Sequence, residues 1–455
     1  MRTSKERVFK SVPEVPWNPE IPNNWELVRL KSLLSRKKLT VGANSKNLQL
    51  LSLTLRGVIV RDVSNSKGKF PASFDTYQQV NKGDFVFCLF DIAETPRTVG
   101  LSRHDGMITG AYTVYKGHDG FDPKFLHWFL IYCDDDKRFE TLYRGLRKTI
   151  PKQVFESIQI PLPDLDEQKL ITRFLDNLEL QVLESVSAKK KLISLLNELR
   201  DSKISETLLS YSTTSAKDWF GELPSGWTSK PARALFEERI ERSQPEAEML
   251  SVTIGRGVIK QSDYLVNAIR NRDQSNLDKS KYKVVKKDDI VYNKMRAWQG
   301  AAGKSEFDGI ASPAYVVLKC KEGIDPDYYG LLFRTKLFAK EAEKFSYGIS
   351  SDQWSLRSSD LKRIEFPIPP LDFQRAAVKK LSMDLAEVEL SIQSIELEIK
   401  LIEEYRRSTV GLVVTGKIDI CDIALDMSDI DADYLSEVKS GLSNDIGTEL
   451  TEDVE

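Results

Sequence analysis

Two stretches of the chain place apolar residues at alternating spacings of three and four, the pattern of a helix that covers a narrow seam. In the first, Ile171, Leu175, Leu178, Val182, Ser185, Lys189, Leu192, Leu196 and Leu199 follow the alternation, and only Ser185 and Lys189 are polar. In the second, Val378, Leu381, Leu385, Val388, Ile392, Ile395, Ile399 and Ile402 are apolar throughout. No Gly or Pro interrupts either seam, and prolines stand just before each, in IPLP ending at Pro163 and in PIPP ending at Pro370. A helix from Leu165 to Leu209 would be roughly 65 to 70 Å long. Each seam needs a cover, and the other seam of the same chain supplies one if the second helix returns antiparallel to the first, with a globule at either end of the resulting rod. A helix pair that only mediates oligomerisation is the plainer alternative. Outside the helices the pattern shifts to short β-branched and aromatic runs, such as Asp84 to Leu89 and Tyr315 to Leu318, broken by Gly, Asn and Asp. Those runs predict mixed α/β globules, and the fold class expected is α+β.

The chain also repeats itself at an offset near 200. Ile21-Pro22-Asn23-Asn24-Trp25 returns as Leu223-Pro224-Ser225-Gly226-Trp227, and Leu51-Ser52-Leu53-Thr54 with Arg56-Gly57-Val58-Ile59 returns as Leu250-Ser251-Val252-Thr253 with Arg256-Gly257-Val258-Ile259. Gly83 to Phe87 is echoed by Asp288 to Tyr292, and Gly106 to Tyr115 by Gly309 to Leu318. Matches in one order indicate two copies of one unit, for which an approximate two-fold arrangement is expected. The expected divisions are a globule at 1–163, a long helix at 164–212, a second globule at 213–370, a second helix at 371–416 and a tail at 417–455.

Composition narrows the class. Hydrophobic residues at 41% and charged residues at 29% of 455 suit a soluble protein, and no apolar run approaches the roughly 18 residues of a membrane span. The basic start meets Pro13 and Pro16 instead of an apolar stretch, so a cytoplasmic location is expected. Cys88, Cys133, Cys320 and Cys421 lie far apart and the histidines are His104, His118 and His127, which offers neither a disulfide framework nor a Cys/His zinc site. The net charge of -2 is unevenly spread: the stretch from Lys417 holds twelve acids against two lysines, so 64 basic and 56 acidic residues leave +8 before it. A mildly basic body suits a polyanionic partner, and an acidic tail stays solvated or docks on something basic.

The order Pro-x-x-Trp, globule, Pro-Leu-x-x-Gln, long helix, and the same again resembles the specificity subunit of a type I restriction-modification system. Tyr347-Gly348, Trp354 and Leu361 leading into Ile368-Pro369-Pro370-Leu371-Asp372-Phe373-Gln374 carry the resemblance, as do Tyr405-Arg406 and Val414-Thr415-Gly416-Lys417-Ile418-Asp419. It spans Ile21 to Asp419. The family's usual Glu before that Gln is present as Glu167 and replaced by Phe373. The resemblance implies two target-recognition domains, each reading one half of a bipartite, asymmetric site on double-stranded DNA, with the helices setting the gap. It further implies a chain that is not an enzyme and holds no cofactor. Two methyltransferase subunits would use S-adenosylmethionine, and motor/restriction subunits would use ATP and Mg²⁺.

A DNA reader needs cations for phosphates and Arg, Asn, Gln or Thr on loops for base edges. Asn293, Lys294, Arg296, Trp298 and Gln299 follow a strand-like run and mix cations, amides and an aromatic; a structural loop is the alternative. Arg270 and Arg272 lie in a polar loop without apolar period. In the first copy Arg97, Thr98 and Arg103 occupy the segment equivalent to that around Trp298, diluted by Asp91 and Glu94. Arg56 and Arg61 pair in the repeat with Arg256 and Lys260 as phosphate grips or solvated surface, and Arg144, Arg147 and Lys148 cluster before Pro151. Two other motifs lead nowhere. Gly303-Lys304-Ser305 lacks the first P-loop glycine, since Trp298 stands there. Pro163-Asp164 with Glu167 and Lys169 resembles a nuclease constellation, but its acids crowd a helix start and the second copy lacks them. No dinucleotide or methyltransferase fingerprint is present, which weakens the competing reading of a stand-alone nuclease or methyltransferase.

Overall fold

The computed structural model describes residues 7–13, 15, 18–61, 73–143, 148–209, 219–242, 246–263, 279–348 and 354–420. Arg144, Arg147, Arg270, Arg272 and the tail beyond Ile420 lie outside them. The chain forms two compact units: residues to Ala188 with those from Glu398 onward, and Lys189–Leu397. Each unit therefore holds one globule and part of each long helix.

Both units carry one four-stranded sheet of the same order. A four-stranded antiparallel sheet runs in the order Leu34–Lys37, Thr113–Gly117, Phe85–Phe87, Val99–Leu101 in the first, and Phe236–Glu238, Tyr315–Cys320, Ile290–Asn293, Ala302–Lys304 in the second. A second sheet of the second unit has the order Gly257–Lys260, Met249–Thr253, Gly309–Ala311, Lys283–Val285, and only its middle pair is parallel. The first unit splits that sheet into two ribbons, Leu51–Thr54 with Gly57–Val60 and Gln78–Val80 with Gly106–Ile108. A parallel bridge between Leu50 and Met107 stands where the second unit has its parallel pair. A two-stranded ribbon, Glu26–Arg29 with Gln159–Leu162 or Thr228–Pro231 with Glu365–Ile368, leads into each long helix.

The repeated acidic positions explain themselves here. Asp84 and Asp289 are buried, and each is held by a cation at the end of the edge strand: Lys37, its last residue, at 2.7 Å in the first unit, and Arg239, just after it, at 2.7 and 3.0 Å in the second. Each also accepts the backbone N–H three residues before it, from Asn81 or Lys286. A buried carboxylate is tolerable only when paired and hydrogen-bonded in this way. Around them pack aromatic cores, with Phe85, Phe87, Phe125, Phe129 and Phe155 in one unit and Tyr328, Tyr329, Phe333, Phe338 and Phe366 in the other.

The long helices span Leu165–Leu209 and Leu371–Val414. Within the first unit Arg7 joins Glu167 to Asp419, and Arg406 reaches Glu179. The partner's number falls as the first helix advances, so the two segments run antiparallel. Ile171, Leu175, Leu178 and Val182 are buried there in one core with Val410, Val413 and Val414. The expected seam fails farther along: Leu192 and Leu199 are 46% and 45% exposed. An α-helix drifts about 20° per heptad against a 3.5-residue repeat, and in this half the inward positions are Ile193, Leu196, Arg200, Ile204 and Leu208. The second helix keeps its seam buried or half-buried from Val378 to Ile402.

Candidate nucleic-acid interface

The segment Asn293–Gln299 closes the four-stranded sheet of the second unit between the strands Ile290–Asn293 and Ala302–Lys304. Asn293 turns its side chain back to accept the N–H of Met295 at 3.0 Å, and Lys294 passes its carbonyl to the N–H of Leu356. Trp298 donates its indole N–H to the Met295 carbonyl and sets its ring edge-on to Trp354, 5.5 Å between centroids. Those contacts fix the loop and leave Met295 40% exposed, with Arg296 and Gln299 half-buried beside it. Burial, aided by nearby Lys283, lowers the pKa of Lys294 against the pull of Glu238.

The same corner of the first unit has different chemistry. Phe90 bridges to Thr149, and Lys148, at a left-handed φ of 43°, lies 3.7 Å from Glu94, in the place where the second unit sets Trp298 edge-on to Trp354. Two expected readers are not available there. Thr98 is 2% exposed and gives its N–H and hydroxyl to Asp134, while Arg97 is paired with Asp134 and Asp135 at 3.1 and 2.8 Å. The buried Asp134 needs those donors, so this pair supports the fold and is withdrawn as a direct contact to a base.

Arg56 and Arg256 are exposed on the equivalent hairpin turns. Arg61 is exposed beyond the first hairpin, and Lys260 sits over the Phe307 ring at 5.1 Å. Arg56 and Arg103 line a cleft of about 510 Å³ with Lys82, His104, Lys124, His127, Trp128, Asp176, Glu179 and Arg406, and the paired Arg97 borders it as well. Nothing along the chain marks Lys82, Lys124 or His127 as belonging with Arg56, because they come from separate loops and a helix. The two misleading motifs are structural. Asp164 caps the N–H of Glu167, which accepts from the Trp25 indole, and Lys304 is tied to Asp288, Glu306 and Asp327.

A framework built twice, with loops of unlike chemistry on like sheets, defines a modular recognition scaffold. A sequence profile of the type I restriction modification DNA specificity domain matches residues 112–194 and 251–400. The chain is 24% identical over 442 residues to the type I restriction enzyme MjaVIII specificity subunit of Methanocaldococcus jannaschii, covering 92% of this chain and 98% of that protein. It is 20% identical to the putative MjaX specificity subunit of the same organism, covering 88% and 95%. A chain from a structural study of complex assembly and conformational transition in the type I R-M system superposes with a TM-score of 0.55 at 14% identity, covering 88% and 99%. The chain belongs to the type I restriction-modification DNA specificity family. Its role is that of a non-catalytic specificity subunit, and the stand-alone enzyme is not favoured.

Proposed function

We propose that each globule reads one half of a bipartite, asymmetric site on double-stranded DNA, and that the long helices set the gap between the halves. The single observation that supports this most is that one framework presents Lys148 and Glu94 in one copy and Trp298 and Trp354 in the other at the same corner. Two readers of one shape and different chemistry suit two unlike half-sites. The reading domains are taken as 1–163 and 213–370, the spacers as 164–212 and 371–416, with the acidic tail from 417 outside the readers. Arg56, Arg61, Arg103, Lys148, Arg256, Lys260, Asn293, Lys294, Arg296 and Gln299 are the proposed DNA contacts, with Trp298 holding its loop in shape.

Partners are proposed on the helices. Met383, Leu390 and Leu397, spaced by seven, are 70%, 66% and 58% exposed, and such a stripe suits a docking helix. Two methyltransferase subunits using S-adenosylmethionine would dock there and bring motor/restriction subunits that use ATP and Mg²⁺. No helix among the described residues is long and apolar enough to cross a membrane, and a cytoplasmic location is proposed. The test is a chimera in which the globule from Ile21 to Pro163 is exchanged for that of a relative. Methylome sequencing should show one half of the modified motif changed and the other retained; an unchanged motif would remove the two-reader reading.

A further inference from the structure

Each long helix carries an arginine at the same place: Arg200 and Arg406 both stand thirty-two residues after the buried glutamine of their own helix, Gln168 or Gln374. Arg406 belongs to the first unit and Arg200 to the second, so each serves the globule of the other copy. In the first unit this arginine is matched. Its Nε meets Glu179, its Nη1 lies 3.6 Å from Asp135, and its guanidinium lies 5.8 Å from the Trp128 ring centre. Burial opposes the charge, yet those two carboxylates hold the Arg406 pKa above its ordinary value.

The second unit is built differently. Leu385 stands where the first copy has Glu179, and the helix that carries Asp135 in the first copy stops at Leu332 in the second. A second cation has been added, because Arg334 replaces Ile131 eight residues after the proline that opens the equivalent helix. The two arginines meet at one turn. Arg334 donates through Nη2 to the Gly255 carbonyl, and Arg200 Nη2 lies 3.7 Å from where a Gly255 Cβ would stand. Arg200 Nε is buried with no hydrogen-bond partner among the described residues. Asp201 lies 3.6 Å from Arg200, and it is shared with Lys336 at 3.8 Å. Burial first, and Arg200 second, bring the Arg334 pKa down to about 10, which Asp201 and Glu389 only partly oppose. Arg256 is exposed on the same turn. Two guanidiniums at one turn, with Asp201 shared among the described residues as their partner, suit a phosphate group, which accepts several charge-assisted hydrogen bonds at once.

We propose that Arg200 and Arg334, converging on the Ile254–Gly257 turn, form a phosphate-binding site whose occupant is a backbone phosphate of duplex DNA. The DNA half of this statement rests on the reading above, since a free phosphate offers the same chemistry. The test uses the full chain carrying Arg200→Gln or Arg200→Lys. Random-sequence duplex is titrated over a range of salt, because a phosphate contact is independent of sequence. Arg200→Gln should weaken binding about 3- to 10-fold and flatten the slope of log K against log salt by about 0.9, the loss of one neutralised phosphate. Arg200→Lys should keep the slope. Inorganic phosphate at constant ionic strength should raise the melting temperature of the parent and leave that of Arg200→Gln unmoved. Without phosphate, Arg200→Gln should melt no lower than the parent, since one of two like charges has gone. A lower melting point there, or an unchanged salt slope with no phosphate effect, overturns the site. A phosphate effect on melting without a change of slope overturns its assignment to DNA. A parent that binds no duplex in a salt-dependent way refutes the recognition reading instead, and the phosphate melts then decide the site alone.

Discussion

Gln168 and Gln374 open their long helices in the same way. Each side chain accepts the N–H of the residue that caps a globule helix, Asp122 or Asp325, and donates to the proline carbonyl five residues back, Pro163 or Pro369. Both glutamines are almost fully buried. The family's recurring Gln is therefore a staple between globule and helix. Replacing Gln374 by Ala leaves the Asp325 N–H and the Pro369 carbonyl short of a buried partner, at a cost of about 1 to 3 kcal/mol. Thermal melting should record the loss, and a variant as stable as the parent would show that water takes over both bonds. The neighbouring position shows how one junction is built from two chemistries. Trp25 is buried and donates its indole N–H to Glu167 at 3.1 Å, whereas Trp227 packs edge-on against Phe373 at 4.7 Å between centroids. At Phe373, which departs from the family's Glu, the second copy sets an aromatic ring against its Trp where the first sets a carboxylate. Gly416, in the left-handed region at φ 72°, ends the second helix against the first globule, where a Cβ would collide with the Pro22 ring. The motif from Val414 to Asp419 is legible in the sequence, but this contact depends on chain segments almost 400 residues apart.

The helices are the elements read most directly from the sequence, and also where periodicity misleads. The second helix keeps the expected seam, while the first turns Leu192 and Leu199 outward and carries Arg200 inward. A pattern search assigns an inward face to apolar residues and has no means of assigning one to a buried arginine. If the helices act as a ruler, lengthening both should widen the gap. Four residues add about 6 Å and roughly 40° beyond a full turn, which nearly preserves the packed face. Counting from the Glu179 and Arg406 contact, insertions beside Ser187 and Glu398 lie at matched heights. The two half-motifs should stay the same and their separation should grow by one or two base pairs, at about 1.7 Å per charge or 3.4 Å per base pair. A methylome with the old gap would confine the helices to docking partners.

On the scale of the molecule the distribution of charge matters more than its total. The body up to Gly416 carries +8, and the remainder carries -10. If about eight phosphates are neutralised, log K for duplex DNA should fall with log salt at a slope near -7. Truncation after Ile420 should leave that slope in place, and a flatter slope in the truncated chain would mean that the tail takes part in binding.

The sequence by itself determined the two copies, the two long helices, the mixed sheets and the family. These features rest on local periodicity and on matches in one order, which survive without knowledge of what touches what. Only the tertiary structure decided which charges are available. Arg97, Arg406 and Arg200 look alike along the chain, yet the first is tied to Asp134 and Asp135, the second to Glu179, and the third adjoins another arginine. The physical reason is that the cost of a half-buried charge is set by its neighbours in space, and here those neighbours come from remote segments that no local pattern brings together.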